Sequence, residues 1–167
     1  MNSTKNNLSA QVPLIDVRIP VSMTVSGCMR TLTVEPRMPL LDALRNQLAL
    51  TRPKRSCDRG ERGACTVHIE GRRVLSCMTL AVMHEGQQIT TIEGLERDAE
   101  LHPVQESFIE RDGFQRGFCK SGQIMSAVAM IEEVKAGWPR AATPDVTKPF
   151  TLSDLPDAEI RERMQSA

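Results

Sequence analysis

The chain has 167 residues, with 21 Lys and Arg against 21 Asp and Glu, so its formal net charge is zero. This balance excludes a general attraction to nucleic acid or to an anionic membrane surface. An aromatic content of 3% also excludes a base-stacking platform for single strands. Five cysteines without a recognisable secretory leader predict a cytoplasmic protein whose clustered thiols bind metal, or a periplasmic one if a targeting segment has been removed.

The first half of the chain has the pattern of strands around one helix. A polar tail at 1–17 precedes two predicted strands at 20–25 and 31–34, with glycine in the turn that joins them. Leucines at helical spacing predict a helix over 40–48, which Pro53 follows. Three further strands are predicted at 66–69, 73–76 and 89–92. Together these elements predict a compact α+β sheet of the β-grasp kind.

The second half is predicted to be helical. Pro103 is suited to the first position of a helix over 104–111. Ser121 is a candidate N-cap for a longer helix over 123–135, and a last helix is predicted over 157–164. Residues 137–151 contain three prolines and are predicted to form a loop.

The loop before the third strand carries the candidate chemistry. Cys57, Cys65 and Cys77 occupy the first, third and fourth positions of the plant-type ferredoxin spacing, in which four cysteines hold a 2Fe–2S cluster. The second position is Arg62. A guanidinium stays protonated in proteins and has no lone pair to donate, so Arg62 cannot ligate iron.

Longer motifs surround this loop and continue into the helical half. They are the runs at 40–45, 57–60, 63–67, 76–82, 91–95, 101–105, 113–115, 117–119, 121–124 and 158–164. In these runs the chain resembles the iron–sulfur subunit of the molybdenum hydroxylases, the xanthine dehydrogenase and aldehyde oxidoreductase family. It is most similar to the small subunit of bacterial three-subunit aldehyde oxidoreductases.

The resemblance implies two domains and a chain of electron carriers. A β-grasp ferredoxin domain at 18–96 would hold one 2Fe–2S cluster, and a helical bundle at 97–167 would hold another. Electrons would pass from molybdenum on a molybdopterin-binding large subunit, through both clusters, to FAD on a medium subunit. Gln115 matches the family glutamine beside the pterin, and the substrate would not touch this chain.

The chain departs from the family at the ligands themselves. Cys57, Cys65 and Cys77 remain for the first cluster, so we expect that cluster to be absent or labile. For the second cluster, Arg116 replaces one cysteine of a pair, Cys119 is the other, and the last pair is not present before residue 167. We therefore expect a truncated helical domain without its cluster. Arg52 and Ser56 also stand where the family has glycine.

Four alternatives stay open at this stage. An oxygen of Asp58 or Glu61 could complete a weak iron site, or the three cysteines could bind zinc with His68 or Asp58 as the fourth ligand. The thiols could be reactive remnants in a loop without metal, since basic residues surround them. The whole chain could also be a non-redox structural or assembly subunit, or a degenerate homologue without clusters.

Overall fold

The computed structural model describes residues 17–113, 116–143, 145, 147 and 151–165. It is a mixed α+β structure with one five-stranded sheet in the described part of the chain. The strands are β1 (Ile19–Val25), β2 (Cys28–Val34), β3 (Thr66–Ile69), β4 (Arg72–Leu75) and β5 (Gln88–Thr90), in the spatial order β2-β1-β5-β3-β4. The predicted tail at 1–17 lies outside the described residues except for Val17.

The first two strands form the predicted antiparallel hairpin. Their register runs from Ile19 opposite Val34 to Val25 opposite Cys28. Ser26 and Gly27 turn the chain with φ of 48° and 82°, and two consecutive positive values suit the right-handed twist of a two-residue hairpin. Cys28 therefore begins β2.

The predicted helix over 40–48 is confirmed, but its second half is wider than an ordinary α-helix. It begins as α1 (Leu40–Asp42) and continues as a π-helical turn over Ala43–Gln47. Leu40, Leu41 and Leu44 are fully buried. Leu40 and Leu44 pack with the inward side chains of β1, β2 and β3, so burying the apolar side of the helix fixes it across the sheet.

Three longer helices follow the sheet: α2 (Pro103–Glu110), α3 (Lys120–Lys135) and α4 (Asp157–Gln165). The prediction of Ser121 as the N-cap is wrong, because α3 begins at Lys120 with Cys119 as its N-cap. The Ser121 hydroxyl instead donates to the Arg52 carbonyl oxygen at 2.7 Å. None of the described helices is both long and apolar enough to cross a bilayer.

A second hydrophobic cluster packs α2 and α3 against the residues that follow β5. It consists of Leu95, Ile124, Met125 and Val128, with Ile92, Val104 and Phe108 packed against it. Met125 and Ala129 of α3 are buried as well. His68 on β3 donates from Nε2 to the Met125 carbonyl oxygen at 2.8 Å. Packing and one buried hydrogen bond therefore fix α3 against β3.

Candidate metal centre

One backbone and one side-chain hydrogen bond, each to a carbonyl oxygen, close the base of the cysteine loop. The Lys54 N–H donates to the Ala64 carbonyl oxygen at 2.9 Å, and the Arg45 guanidinium donates to the carbonyl oxygen of Pro53 at 2.7 Å. Within the loop, Asp58 and Gly60 take left-handed backbone conformations with φ of 56° and 82°. These conformations turn the chain sharply just after Cys57, and the one at Asp58 is uncommon for a residue other than glycine.

Cys65 and Cys77 lie together because β3 and β4 pair beside them. Their sulfur atoms are 3.3 Å apart, and the neighbouring Ser76 hydroxyl donates to the Cys65 carbonyl oxygen at 2.6 Å. Burial, followed by the hydrogen bond that the protonated Cys77 thiol shares with Cys65, raises the pKa of Cys77 to about 12. Cys77 is therefore held as a neutral thiol, whereas metal binding requires a thiolate.

Cys57 has a different environment from the other two loop cysteines. Its sulfur accepts the Glu61 N–H at 3.3 Å. Backbone N–H groups, that of Arg59 first and those of Glu61 and Arg62 after it, lower the pKa of this thiol. Backbone donors that surround a sulfur favour the thiolate, so this position keeps the electrostatics of a ligand.

The charged side chains of the loop pair with one another or point to solvent. Arg55 forms ion pairs with Asp42 and with Asp58, the latter at 2.6 Å. Arg62 is exposed, and its guanidinium lies 3.4 Å from the Ser56 hydroxyl oxygen. Asp58 is thus engaged by a cation, which disfavours the alternative in which it completes a metal site.

The donor set does not fit a 2Fe–2S cluster, which in a plant-type loop requires four thiolates. Within the described residues, no three His, Cys, Asp or Glu side chains are grouped so that they could hold a metal ion. The zinc alternative meets the same objection, and His68 uses its Nε2 on Met125. The ligand roles of Cys57, Cys65 and Cys77 stay predictions.

The residues predicted for the second cluster lie at the start of α3. Cys119 is exposed there, and Arg116 precedes it on the surface. Gln115, the predicted pterin contact, falls outside the described residues. Cys28, the remaining cysteine, is exposed on β2.

The start of α3 rests directly on the base of the cysteine loop. A Cβ added at Gly122 would lie 2.1 Å from the Gly63 carbonyl oxygen and 2.8 Å from the Ala64 Cα. Only glycine permits this approach of two backbones. Sequence reasoning missed this contact, although a glycine inside a helical pattern is a signal of close packing.

Comparison with known proteins gives a consistent family. A family model described as a [2Fe-2S] binding domain matches residues 91–167. The aldehyde oxidoreductase iron–sulfur-binding subunit PaoA of Escherichia coli K12 is 48% identical over 163 residues, covering 95% of this chain and 69% of that protein. The nicotine 6-hydroxylase small subunit of Paenarthrobacter nicotinovorans is 42% identical over 115 residues, covering 69% of each chain.

Solved structures agree with these relatives. A chain of quinoline 2-oxidoreductase from Pseudomonas putida 86 superposes with a TM-score of 0.68 at 34% identity, covering 89% of this chain and 91% of that one. The aldehyde oxidoreductase of Desulfovibrio desulfuricans ATCC 27774 gives a TM-score of 0.65 at 39% identity, covering 68% of this chain and 13% of that one.

Proposed function

The chain belongs to the family of iron–sulfur small subunits of molybdenum hydroxylases, and we propose that it occupies the small-subunit position of an aldehyde or related oxidoreductase complex. The relatives are iron–sulfur subunits, which supports an electron-transfer role. In a subunit with its clusters bound, electrons would pass from molybdenum toward FAD. The partners would be a molybdopterin-binding large subunit and an FAD-binding medium subunit.

The proposed architecture has two units that correspond to the two predicted cluster sites. Residues 18–96 would form the β-grasp ferredoxin unit, since the described part contains the five-stranded sheet and the crossing helix. Residues 97–167 would form the helical unit, to which α2, α3 and α4 belong. The Gly122 contact supports a fixed seat of the second unit on the cysteine loop of the first.

One observation carries the more specific proposal that ligation is damaged. Arg62 replaces a thiolate at the second ligand position and points to solvent. Arg116 makes the same kind of replacement at the start of α3. A cation with no lone pair can neither bind iron nor neutralise it, so the first cluster would be absent or labile and the second absent.

The positions of the potential metal ligands favour a second candidate function. In the described residues no group of three potential ligands converges, so this chain could serve as a non-redox structural or assembly subunit of the complex. Its packed sheet and helices would then provide the contact surface. This candidate also includes a degenerate homologue that has lost its clusters.

Iron and acid-labile sulfide per chain, with a reduced-state EPR spectrum, test the ligation proposal on anaerobically purified protein. We expect the native chain to hold well below the two irons of one cluster. Arg62→Cys should raise iron and sulfide toward two per chain and give a rhombic EPR signal, because it completes the four-cysteine spacing. Arg59→Cys, which adds a thiol elsewhere in the loop, is the matched control.

Two results would contradict these proposals separately. Two irons in the native chain would show that the loop ligates a cluster without a thiolate at position 62. No gain of iron in Arg62→Cys, relative to Arg59→Cys, would show that this loop no longer has the shape of a cluster site. Co-purification with a large molybdopterin subunit tests the place in the complex, whatever the iron content.

A further inference from the structure

A cleft of about 430 Å³ lies between the beginning of the cysteine loop and the start of α3. Four of its lining side chains are basic, namely Arg52, Lys54, Arg116 and Lys120, and none of the lining residues is acidic. The chain as a whole has no net charge, so this concentration of positive charge is local. Like charges that line one low-dielectric concavity add their fields and attract an anion.

The two arginines of this cleft have free guanidinium groups in the described part of the chain. Both residues are exposed, and neither side chain forms an ion pair or a hydrogen bond with another described residue. The neighbouring carboxylate, Glu93, accepts from the Arg52 backbone N–H at 3.2 Å rather than from its side chain. By contrast, Arg55 in the same loop is paired with Asp42 and Asp58.

The other parts of the lining suit an organic anion. Lys120 and Ser121, at the start of the 16-residue helix α3, line the cleft, so the positive end of the helix dipole lies there. No side chain caps the first turn of this helix. Ile92, Phe118 and Ile124 provide an apolar wall. The volume falls within the range of sites for small molecules and cofactors.

We propose that this cleft binds a phosphate-bearing organic anion of about nucleotide size. The guanidinium fork matches phosphate oxygens, and the apolar wall would contact a base or ring. Arg52 and Arg116 provide two of the four cations that line this cleft. These positions are far apart in the sequence, and the fold places both cations in one cleft.

Calorimetric titration of the full chain with adenosine diphosphate, and separately with inorganic phosphate, tests the proposal at low ionic strength. We expect adenosine diphosphate to bind more tightly than inorganic phosphate, with affinity that falls as salt rises. The double variant Arg52→Gln and Arg116→Gln should lose at least about tenfold in affinity. Arg30→Gln, an exposed arginine on β2, is the control and should bind like the native chain.

Amide NMR shifts on the same titration locate the site. Changes at Lys120, Ser121 and Gly122 that disappear in the double variant support the proposal. The absence of binding by either anion overturns it, and so does an equal loss in Arg30→Gln, which would indicate a nonspecific charge effect. Loss of partner co-purification in the double variant, without anion binding by the native chain, also overturns it and assigns the cleft to a protein contact. None of these outcomes depends on iron content.

Discussion

Arginine side chains lie near both ends of α3, but among the described residues only those near the C-terminal end form ion pairs with buried carboxylates. Near the C-terminal end, Glu133 contacts Arg73 at 2.9 Å and Arg163 at 3.3 Å, and Glu159 contacts Arg163 at 2.6 Å. At the N-terminal end, Arg52 and Arg116 line a cleft without any acidic residue. The same side chain is therefore used in two ways on one helix.

Burial explains the difference. The side chain of Arg163 is 0% exposed and that of Glu159 is 1% exposed, so each needs the other because an unpaired buried charge is costly. The Arg163 guanidinium also donates to the Trp138 carbonyl oxygen at 2.5 Å, which fixes α4 against the end of α3. The exposed arginines at the other end keep their hydration and need no partner to be stable. Paired buried arginines therefore hold the helices together, whereas the exposed arginines need no buried ion pair for stability.

The largest expected effect comes from breaking the buried network. Arg163→Ala leaves Glu159 and Glu133 buried with one cation fewer, so we expect the free energy of unfolding to fall by about 3–5 kcal/mol. Chemical denaturation with unchanged m-value is the measurement. Arg116→Ala, the same substitution at the other end of α3, should change stability by less than about 0.5 kcal/mol. Equal losses of unfolding free energy in the two variants would show that burial does not distinguish the two arginines.

The sheet was predictable from the sequence because its signals are local. Alternating side chains and the glycine turn placed β1 and β2, and apolar spacing placed the helix over Leu40 and its neighbours. The bounds were less secure: β5 runs over Gln88–Thr90, and the prediction extended it to residue 92. The π-helical turn could not be foreseen, since it depends on how the leucines pack on the sheet.

The candidate site was predictable in its chemistry but not in its geometry. That Arg62 cannot ligate iron follows from its side chain alone. That Cys65 lies against Cys77 required the pairing of β3 with β4. The basic cleft and the Glu133–Arg163 network join residues distant in the sequence, and no periodic pattern indicates such contacts.

A smaller effect is expected where α3 touches the cysteine loop. Gly122→Ala places a Cβ against the Gly63 carbonyl oxygen, and backbone on both sides must shift, so we expect a loss of about 1–3 kcal/mol. Because Gly122 lies two residues from Lys120 in the cleft lining, the same change should also weaken anion binding there. Ser126→Ala on the same helix is the matched control, because the buried Ser126 hydroxyl has no hydrogen-bond partner among the described residues. A stable Gly122→Ala variant would show that α3 is not seated on the loop.

The smallest expected effect lies in the middle of α3, where His68 donates to the Met125 carbonyl oxygen. Burial lowers the pKa of His68, and Arg73 opposes its protonation further while Glu133 favours it. The unfolded chain therefore binds a proton more readily, so this stability is present above pH of about 6.5 and is lost as the pH falls through the lowered pKa. The melting temperature of the native chain should thus decrease more between pH 7 and pH 5 than that of His68→Gln, whose amide can still donate to Met125. Identical pH slopes would mean that the middle of α3, unlike its C-terminal end, carries no buried electrostatic constraint.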